Sequence, residues 1–229
     1  KTGLNEAFII TTEKRDEILA NCQDDDERRR TEAIIKPILR GRDIKRYYYE
    51  WAGLWVIIIP AGWTNENKGK KEAKKFIQES FPSLMQHLKL FEEKAKRRDD
   101  QGDYWWELRH CAYYPEFEKE KVVWQELAQG SQFTYDINNF FVTNTAYILT
   151  GKNLKYIIGY LNTKLNEFTY EKWYCTKLGN SGTRWLNQHV ISIPLPPITP
   201  ANQPIVSQIE VLVDKILATK KENPQTNTS

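Results

Sequence analysis

Two tryptophans stand beside a glutamate and an arginine in the stretch GDYWWELRHC, residues 102–111. If this stretch is a strand, one of Trp105 and Trp106 faces inward and the other faces outward. Tryptophan offers so much apolar area that both residues are more typical of a core than of a ligand platform. Arg109 could fork onto guanine or a phosphate, or pair with Glu107 on the same strand face.

The sequence contains no motif that calls for catalysis. It has no glycine-rich phosphate loop, no HExxH zinc motif and no GxSxG nucleophile motif. His110 and Cys111 are adjacent and would point to opposite faces of a strand, so they could not act as a nucleophile and its base. The remaining histidines, His87 and His189, lie in unrelated contexts, which argues against a metal site. We therefore expect no catalytic residue, no metal and no cofactor in this chain.

Cysteine usage and hydropathy indicate the compartment. The three cysteines are far apart and include no CxxC pair, which argues against a disulfide framework and favours a reducing cytoplasm. No apolar run approaches the roughly 18 residues that a membrane span needs. The chain also starts without methionine, which suggests a piece of a longer polypeptide.

Positive charge is concentrated near the N-terminus, although the net charge of the chain is only +3. Residues 28–46 carry eight cationic side chains against two carboxylates, followed by three tyrosines. Such a segment can neutralise phosphates and release counterions. The alternative is a solvated helix face that the acidic residues 24–27 cancel. The candidates for contact with the DNA backbone, or for a structural role, are Arg40, Arg42, Lys45 and Arg46.

A second candidate is the polar loop KLGNSGTR, residues 177–184. Its two glycines allow close approach of the backbone to a partner, and its polar side chains suit base edges or phosphates. A plain surface loop is the alternative. The candidates for base reading are Lys177, Asn180, Ser181, Thr183 and Arg184.

The hydrophobic periodicity predicts an α/β protein with mixed short β-sheets flanked by helices. We expect one domain over residues 1–220, in two parts (1–100 and 101–220), with a disordered tail at 221–229. The predicted strands are 7–10, 55–59, 121–127, 132–136 and 140–149. The predicted helices are 13–21 with Thr12 as N-cap, a helical region over 68–98 in which Pro82 starts a second helix, 154–168, and 204–220.

Two sets of apolar residues have expected roles. Side chains that we expect to be mostly buried are Trp55, Val56, Ile57, Ile58, Val122 and Ile148. One face of the C-terminal helix is apolar and could dock on a partner subunit, and it comprises Ile205, Ile209, Leu212, Val213 and Ile216.

Four motifs in order carry a resemblance to a known family: TEAIIKPILRGRDIKRY, HLKLFEEKAKRRDDQGDYWWELRHCAYYPEFEKEKVVWQEL, TAYILTGKNLKYIIGYLNTKL and VISIPLPPI. They resemble the TaqI-like C-terminal specificity domain of adenine-specific DNA methyltransferases, which occurs in restriction-modification proteins of type IIG. The similarity extends over about residues 8–217.

The resemblance implies a target-recognition domain that binds double-stranded DNA. A separate N-terminal domain of the same polypeptide would bind S-adenosylmethionine and methylate a flipped adenine, and its NPPY motif is absent from this chain. We therefore expect no methylation by the chain alone, whether or not the parent also carries an endonuclease. The family's WxELR motif includes Trp105 and Arg109 and fits a scaffold or a backbone contact.

Two alternatives remain open. The ending PLPPI followed by a helix also resembles half of a type I restriction specificity subunit. The second alternative is of a different functional class: the chain could be a module that binds another protein through its C-terminal helix.

Overall fold

The computed structural model describes residues 2–175 and 182–227. Within them the chain forms two compact units. Residues 1–38 and 53–115 form the first unit, and residues 39–52 and 116–229 form the second. The first unit therefore extends past residue 100, where the internal boundary was predicted. The segment 39–52, although it lies between two parts of the first unit in the sequence, belongs to the second unit.

The helices are α1 (Asn5–Phe8), α2 (Thr12–Ala20), α3 (Asp25–Ile34), α4 (Trp63–Asn67), α5 (Ala73–Ser80), α6 (Pro82–Lys89), α7 (Glu92–Ala95), α8 (Leu154–Leu161), α9 (Lys164–Trp173), α10 (Asn187–Val190) and α11 (Gln203–Glu222). The strands are β1 (Ile9–Thr11), β2 (Ile35–Leu39), β3 (Ile44–Lys45), β4 (Tyr48–Tyr49), β5 (Leu54–Ile57), β6 (Lys121–Gln125), β7 (Leu127–Ala128), β8 (Phe133–Asp136), β9 (Phe141–Val142), β10 (Ala146–Thr150) and β11 (Thr183–Arg184). Short 3-10 helices form at Gly41–Asp43 and Tyr114–Glu118.

The first unit is built on strand β5, which pairs antiparallel with β1 on one side and β2 on the other. Val56 and Ile57 of this strand are buried, as predicted, and α2, α5 and α6 contribute further buried side chains. A buried carboxylate joins two of the helices, because Glu27 of α3 accepts hydrogen bonds from the backbone N–H groups of Gln23 (2.7 Å) and Ser83 (2.8 Å).

In the second unit, β6 is the central strand and pairs antiparallel with β10 and β8. Val122 and Trp124 of β6 belong to a core that α8 and α11 cover. These two helices approach closely at Gly159, where an added Cβ would lie 2.7 Å from a methyl carbon of Ile209. Glycine at this position permits the close contact.

The predicted fold class is confirmed: the chain is α/β, with short sheets, flanking helices and a C-terminal helix. All strand pairs with a described register are antiparallel, whereas the isolated bridge between Pro60 and Leu108 is parallel. Pro82 occupies the first turn of α6, as predicted. Of the side chains expected to be buried, Trp55 and Ile148 are only half-buried.

Several element boundaries differ from the prediction. The N-cap of α2 is Thr11, whose hydroxyl accepts from Lys14 N, while the Thr12 hydroxyl accepts from Trp55 Nε1 and donates to the carbonyl of Gly53. The predicted strand 7–10 starts later because residues 5–8 form α1. The predicted helix 154–168 is two helices, because Thr163 caps a new one. Helix α11 continues through residue 222, so residues 221 and 222 are helical and not part of a disordered tail.

The apolar face of α11 also differs from the prediction. Val206 and Val213 are buried, and Ile209, Ile216 and Leu217 pack against the core of the second unit. Ile205 and Leu212, which were assigned to the same face, are exposed. The buried stripe is thus rotated by about one residue, and it covers the chain's own core.

Candidate nucleic-acid interface

The tryptophan stretch is a turn at the heart of the first unit, organised by Glu107. This fully buried carboxylate accepts three backbone hydrogen bonds, from Thr64 N (2.9 Å), Asp103 N (2.9 Å) and Gly62 N (3.2 Å). Two of these donors lie at the start of α4, where free N–H groups and the helix dipole favour a negative charge. Glu107 is therefore a structural residue.

Both tryptophans of the stretch are buried, as expected of core residues, and the alternation expected of a strand does not apply because residues 104–106 do not form one. The reason is that residues 104–107 turn back on themselves, with Glu107 N donating to the carbonyl of Tyr104. Trp106 donates from Nε1 to the Thr64 hydroxyl (2.9 Å). Trp105 packs edge-to-face against Trp106, and its burial fits a scaffold role better than a contact with DNA.

Buried Arg98 also stabilises the tryptophan turn. Its guanidinium donates to the backbone carbonyls of Thr2, Glu107 and Trp105 and lies 4.1 Å from the centre of the Phe8 ring. Burial lowers the pKa of Arg98 to about 10, so it stays charged at neutral pH. Arg98 was not among the candidates predicted from the sequence.

Arg109, at the end of the motif, is exposed, and its Nε lies 3.6 Å from Asp100 Oδ1. It neither pairs with Glu107, which points inward, nor lies on a described strand. In the WxELR motif, Trp105, Glu107 and Leu108 are thus buried, and Arg109 alone presents its charge to solvent.

The basic segment is divided between the two units. Arg28 to Arg30 lie on the exposed side of α3 in the first unit, where Arg29 pairs with Asp26 and Arg30 Nε donates to the Ser80 carbonyl. For these three residues the solvated-helix alternative fits. The cations from Arg40 to Arg46 belong to the second unit.

Arg40 has a structural role. Its guanidinium forks onto the buried carboxylate of Asp43, with Nη2 to Oδ1 at 2.6 Å and Nε to Oδ2 at 3.0 Å. The intervening Gly41 lies against a neighbouring loop, where an added Cβ would be 2.7 Å from the carbonyl oxygen of Thr145. The fork and the close contact fix the start of the β3–β4 hairpin.

The hairpin presents the next cations. Arg42 is exposed, and its carbonyl accepts a hydrogen bond from Lys45 Nζ at 2.8 Å. The turn passes through Tyr47, whose φ of 68° lies in the left-handed region and whose N–H donates to the carbonyl of Phe133. Arg46 is half-buried, and its Nε has no hydrogen-bond partner among the described residues.

A groove of the second unit brings two of these cations together with a third. We call it the basic groove; its lining residues are Lys45, Arg46, Tyr48, Gln132, Lys220, Gln225, Thr226 and Asn227. Lys220, near the end of α11, lies 4.9 Å from the centre of the Tyr48 ring. Burial and the charge of Glu50 raise the pKa of Tyr48, so its hydroxyl stays protonated at neutral pH. Lys220 was not among the candidates predicted from the sequence, because it is far from Lys45 in the chain.

The polar loop is described only in part. Lys177, Asn180 and Ser181 lie outside the described residues. Thr183 is buried and donates from its hydroxyl to Glu171 Oε1 (2.9 Å), which corrects its assignment to base reading.

Arg184 follows in β11, and its side chain is 54% exposed. Its Nε lies 2.9 Å from Oε1 of Glu126, whose other oxygen accepts a hydrogen bond from the Tyr147 hydroxyl at 3.2 Å. The strand is anchored from below, since Tyr170 stacks on Trp185 and donates to the Arg184 carbonyl. Arg184 is therefore a charged side chain held in position at the surface.

A buried ion pair in the second unit was also missed. Lys121 Nζ lies 2.6 Å from Asp136 Oδ2, and both side chains are fully buried. Lys121 also donates to the carbonyls of Phe117 and Lys119, and Asp136 accepts from two backbone N–H groups. The two residues are directly paired across β6 and β8. Opposite charges at the ends of two predicted strands could have indicated this ion pair from the sequence.

Two further observations concern the described part of the chain. No cluster of histidine, cysteine and carboxylate side chains there could hold a metal ion. In the same ranges, no helix combines the length and the apolar character that crossing a membrane requires.

Comparison with known proteins identifies the class. Residues 36–195 match a family of specificity domains, which recognise DNA in restriction-modification systems and are not themselves catalytic. That family is the TaqI-like C-terminal specificity domain, and the chain belongs to it. The match includes the Arg40–Arg46 segment, the WxELR motif and Arg184. A comparison with curated proteins finds no match.

Proposed function

We propose that this chain is the target-recognition domain of an adenine-specific DNA methyltransferase. In this proposal it binds double-stranded DNA at a particular sequence and holds the duplex for a catalytic domain of the same polypeptide. That domain would bind S-adenosylmethionine and methylate a flipped adenine. Membership of the TaqI-like specificity family carries the proposal, and the cationic surface of the second unit supports it.

The structure suggests a division of labour among the cations. Phosphate contacts position a duplex, whereas contacts to base edges carry sequence information. We assign Arg42, Lys45 and Arg46 to contacts with the phosphate backbone of the DNA. Arg40 is not, because Asp43 already occupies its guanidinium. Arg109 remains a candidate for a backbone contact, since it is exposed.

Arg184 is the described candidate for reading a base. Arginine recognises guanine by donating two hydrogen bonds to O6 and N7. Glu126 engages only Nε of Arg184, and the two terminal nitrogens make no hydrogen bond within the described ranges. Glu126 and Tyr147 would thus orient a guanidinium whose donors remain available. Lys177, Asn180 and Ser181 are proposed to assist.

Selection from a random pool of duplexes tests sequence recognition. The chain should enrich one common sequence. The selected duplex and a shuffled one would then be titrated, at matched salt, with Arg42→Ala and Arg184→Ala. Arg42→Ala should weaken binding to both duplexes alike. Arg184→Ala should reduce the difference in binding free energy between the selected and the shuffled duplex by about 1–3 kcal/mol, the value of one bidentate base contact. A pool in which no common sequence is enriched would contradict the proposal. So would a difference in binding free energy between the two duplexes that Arg42→Ala reduces and Arg184→Ala leaves unchanged.

The role of a partner domain needs its own assay. The chain alone should transfer no methyl group from S-adenosylmethionine to duplex DNA, and the longer polypeptide should methylate adenine within the selected sequence. An intact polypeptide that binds this sequence but has no methyltransferase region would favour the type I specificity subunit.

Exposed apolar residues on α11 favour the protein-interaction alternative. Ile205 and Leu212 are seven residues apart, on one side of the helix, and both are exposed. Replacing both with glutamine should leave DNA binding unchanged if the chain is a DNA-recognition domain. Stable self-association or capture of a protein, together with no affinity for duplex DNA, would favour the alternative.

A further inference from the structure

We propose that the basic groove holds the phosphodiester backbone of duplex DNA, and that Lys220 is a phosphate-binding residue supplied by the C-terminal helix. This inference rests on the proposed function and deepens it. It adds a contact from the last turn of α11 to those expected from the N-terminal basic segment.

Three parts of the second unit that are distant in sequence form this groove, and Gln132, just before β8, contributes one of its lining residues. The β3–β4 hairpin supplies Lys45, Arg46 and Tyr48, and the end of α11 with the residues after it supplies Lys220 and residues 225–227. Lys220 lies over the Tyr48 ring and donates one hydrogen bond to the Pro224 carbonyl (2.7 Å). An ammonium group has three protons, so two remain for a phosphate oxygen.

The groove itself is lined by positive charge, and the carboxylate of Glu50, which acts on Tyr48, does not line the groove. Its lining contains three cations and no carboxylate, and within the described residues none of the three forms an ion pair. Arg40 and Arg184 differ, since each contacts a carboxylate. A cation without a carboxylate partner is free to neutralise a phosphate, and each phosphate that is neutralised releases condensed counterions from the DNA.

The neutral lining residues suit the same ligand. Tyr48 keeps its proton at neutral pH, and Thr226, Gln225 and Asn227 carry side chains that can donate to phosphate oxygens. One electrostatic effect opposes the proposal, because a helix C-terminus carries about half a negative charge. The full positive charges of Lys220 and Lys221 in the last turn of α11 outweigh it.

The test compares Lys220→Gln with Lys221→Gln in the full 229-residue chain. Lys221 is the matched control, since it is an exposed lysine on the same helical turn but does not line the groove. Affinity for a labelled duplex of mixed sequence would be measured from about 50 to 200 mM monovalent salt. Loss of one phosphate contact should flatten the slope of log affinity against log salt by about 0.9 and weaken binding about eightfold at 0.1 M salt.

Lys220→Arg separates charge from packing, because arginine keeps the positive charge above Tyr48. It should keep the wild-type slope. A Lys220→Gln slope equal to that of Lys221→Gln would overturn the inference about the groove, while DNA binding by the chain would stand. A wild-type chain that does not bind the duplex would refute both the inference and the proposed function.

Discussion

Glu107→Gln should destabilise the chain severely, although it changes only one atom of a side chain that touches no ligand. The Glu107 carboxylate accepts from Gly62 N and Asp103 N through Oε2 and from Thr64 N through Oε1. A glutamine amide has one oxygen and one NH₂ group, so it cannot accept on both sides. Its least damaging orientation places the NH₂ group against Thr64 N, because that breaks one hydrogen bond and keeps two.

The cost follows from these contacts. One buried N–H without an acceptor costs about 1–3 kcal/mol, and each of the two remaining hydrogen bonds loses about 1 kcal/mol when its acceptor becomes neutral. The expected total is about 3–5 kcal/mol, a large share of the stability of about 5–15 kcal/mol that is typical of a folded protein.

Urea denaturation followed by circular dichroism measures this cost, with Asp103→Asn as the control. Asp103 lies in the same turn, but its side chain is exposed, and among the described residues it accepts a hydrogen bond only from Asn65 Nδ2 (2.8 Å). The control should change stability by less than about 0.5 kcal/mol. A Glu107→Gln variant as stable as the control would refute the assignment of this carboxylate as the acceptor that organises the turn.

Three further predictions concern the second unit. Lys121→Met removes one partner of a fully buried ion pair, and urea denaturation should show a loss of about 3–5 kcal/mol because Asp136 keeps an unpaired buried charge; a loss below about 1 kcal/mol would contradict the pairing. Gly41→Ala places a Cβ 2.7 Å from a backbone oxygen, and it should cost about 1–3 kcal/mol in the same assay, whereas a neutral effect would exclude the close contact. Burial raises the pKa of Tyr170 above the ordinary tyrosine value near 10. As pH rises, the unfolded chain therefore loses this proton before the folded chain does, and the free energy of unfolding falls as pH rises above about 10. Tyr170→Phe should reduce the loss of stability between about pH 9 and pH 11. A loss identical to that of the wild-type chain would contradict the burial of this hydroxyl.

Local pattern was enough to predict the β5 core and the start of α6. Val56 and Ile57 are β-branched and flanked by turn residues, and Pro82 fixes a backbone angle that suits a first helical turn. The tryptophan turn could not be predicted in this way. Its conformation depends on Glu107 meeting N–H groups more than 40 residues earlier in the chain, and hydrophobic periodicity carries no information about such a contact.

The candidate site shows the same limit. The density of positive charge pointed to Lys45 and Arg46, and both line the basic groove. It also pointed to Arg40, which the folded chain uses against Asp43. Lys220 was missed because only tertiary structure brings the end of α11 to the β3–β4 hairpin. Charge runs therefore indicate where a polyanion can bind, and the partners of each cation decide which residues remain available.

The most direct test of DNA recognition is the ratio of the chain's affinities for the selected duplex and for a shuffled duplex of the same composition, measured at matched salt. A single good bidentate base contact is worth about 1–3 kcal/mol, so we predict a ratio of about tenfold or more in favour of the selected duplex. Equal affinities for the two duplexes, or no binding to either, would contradict the account.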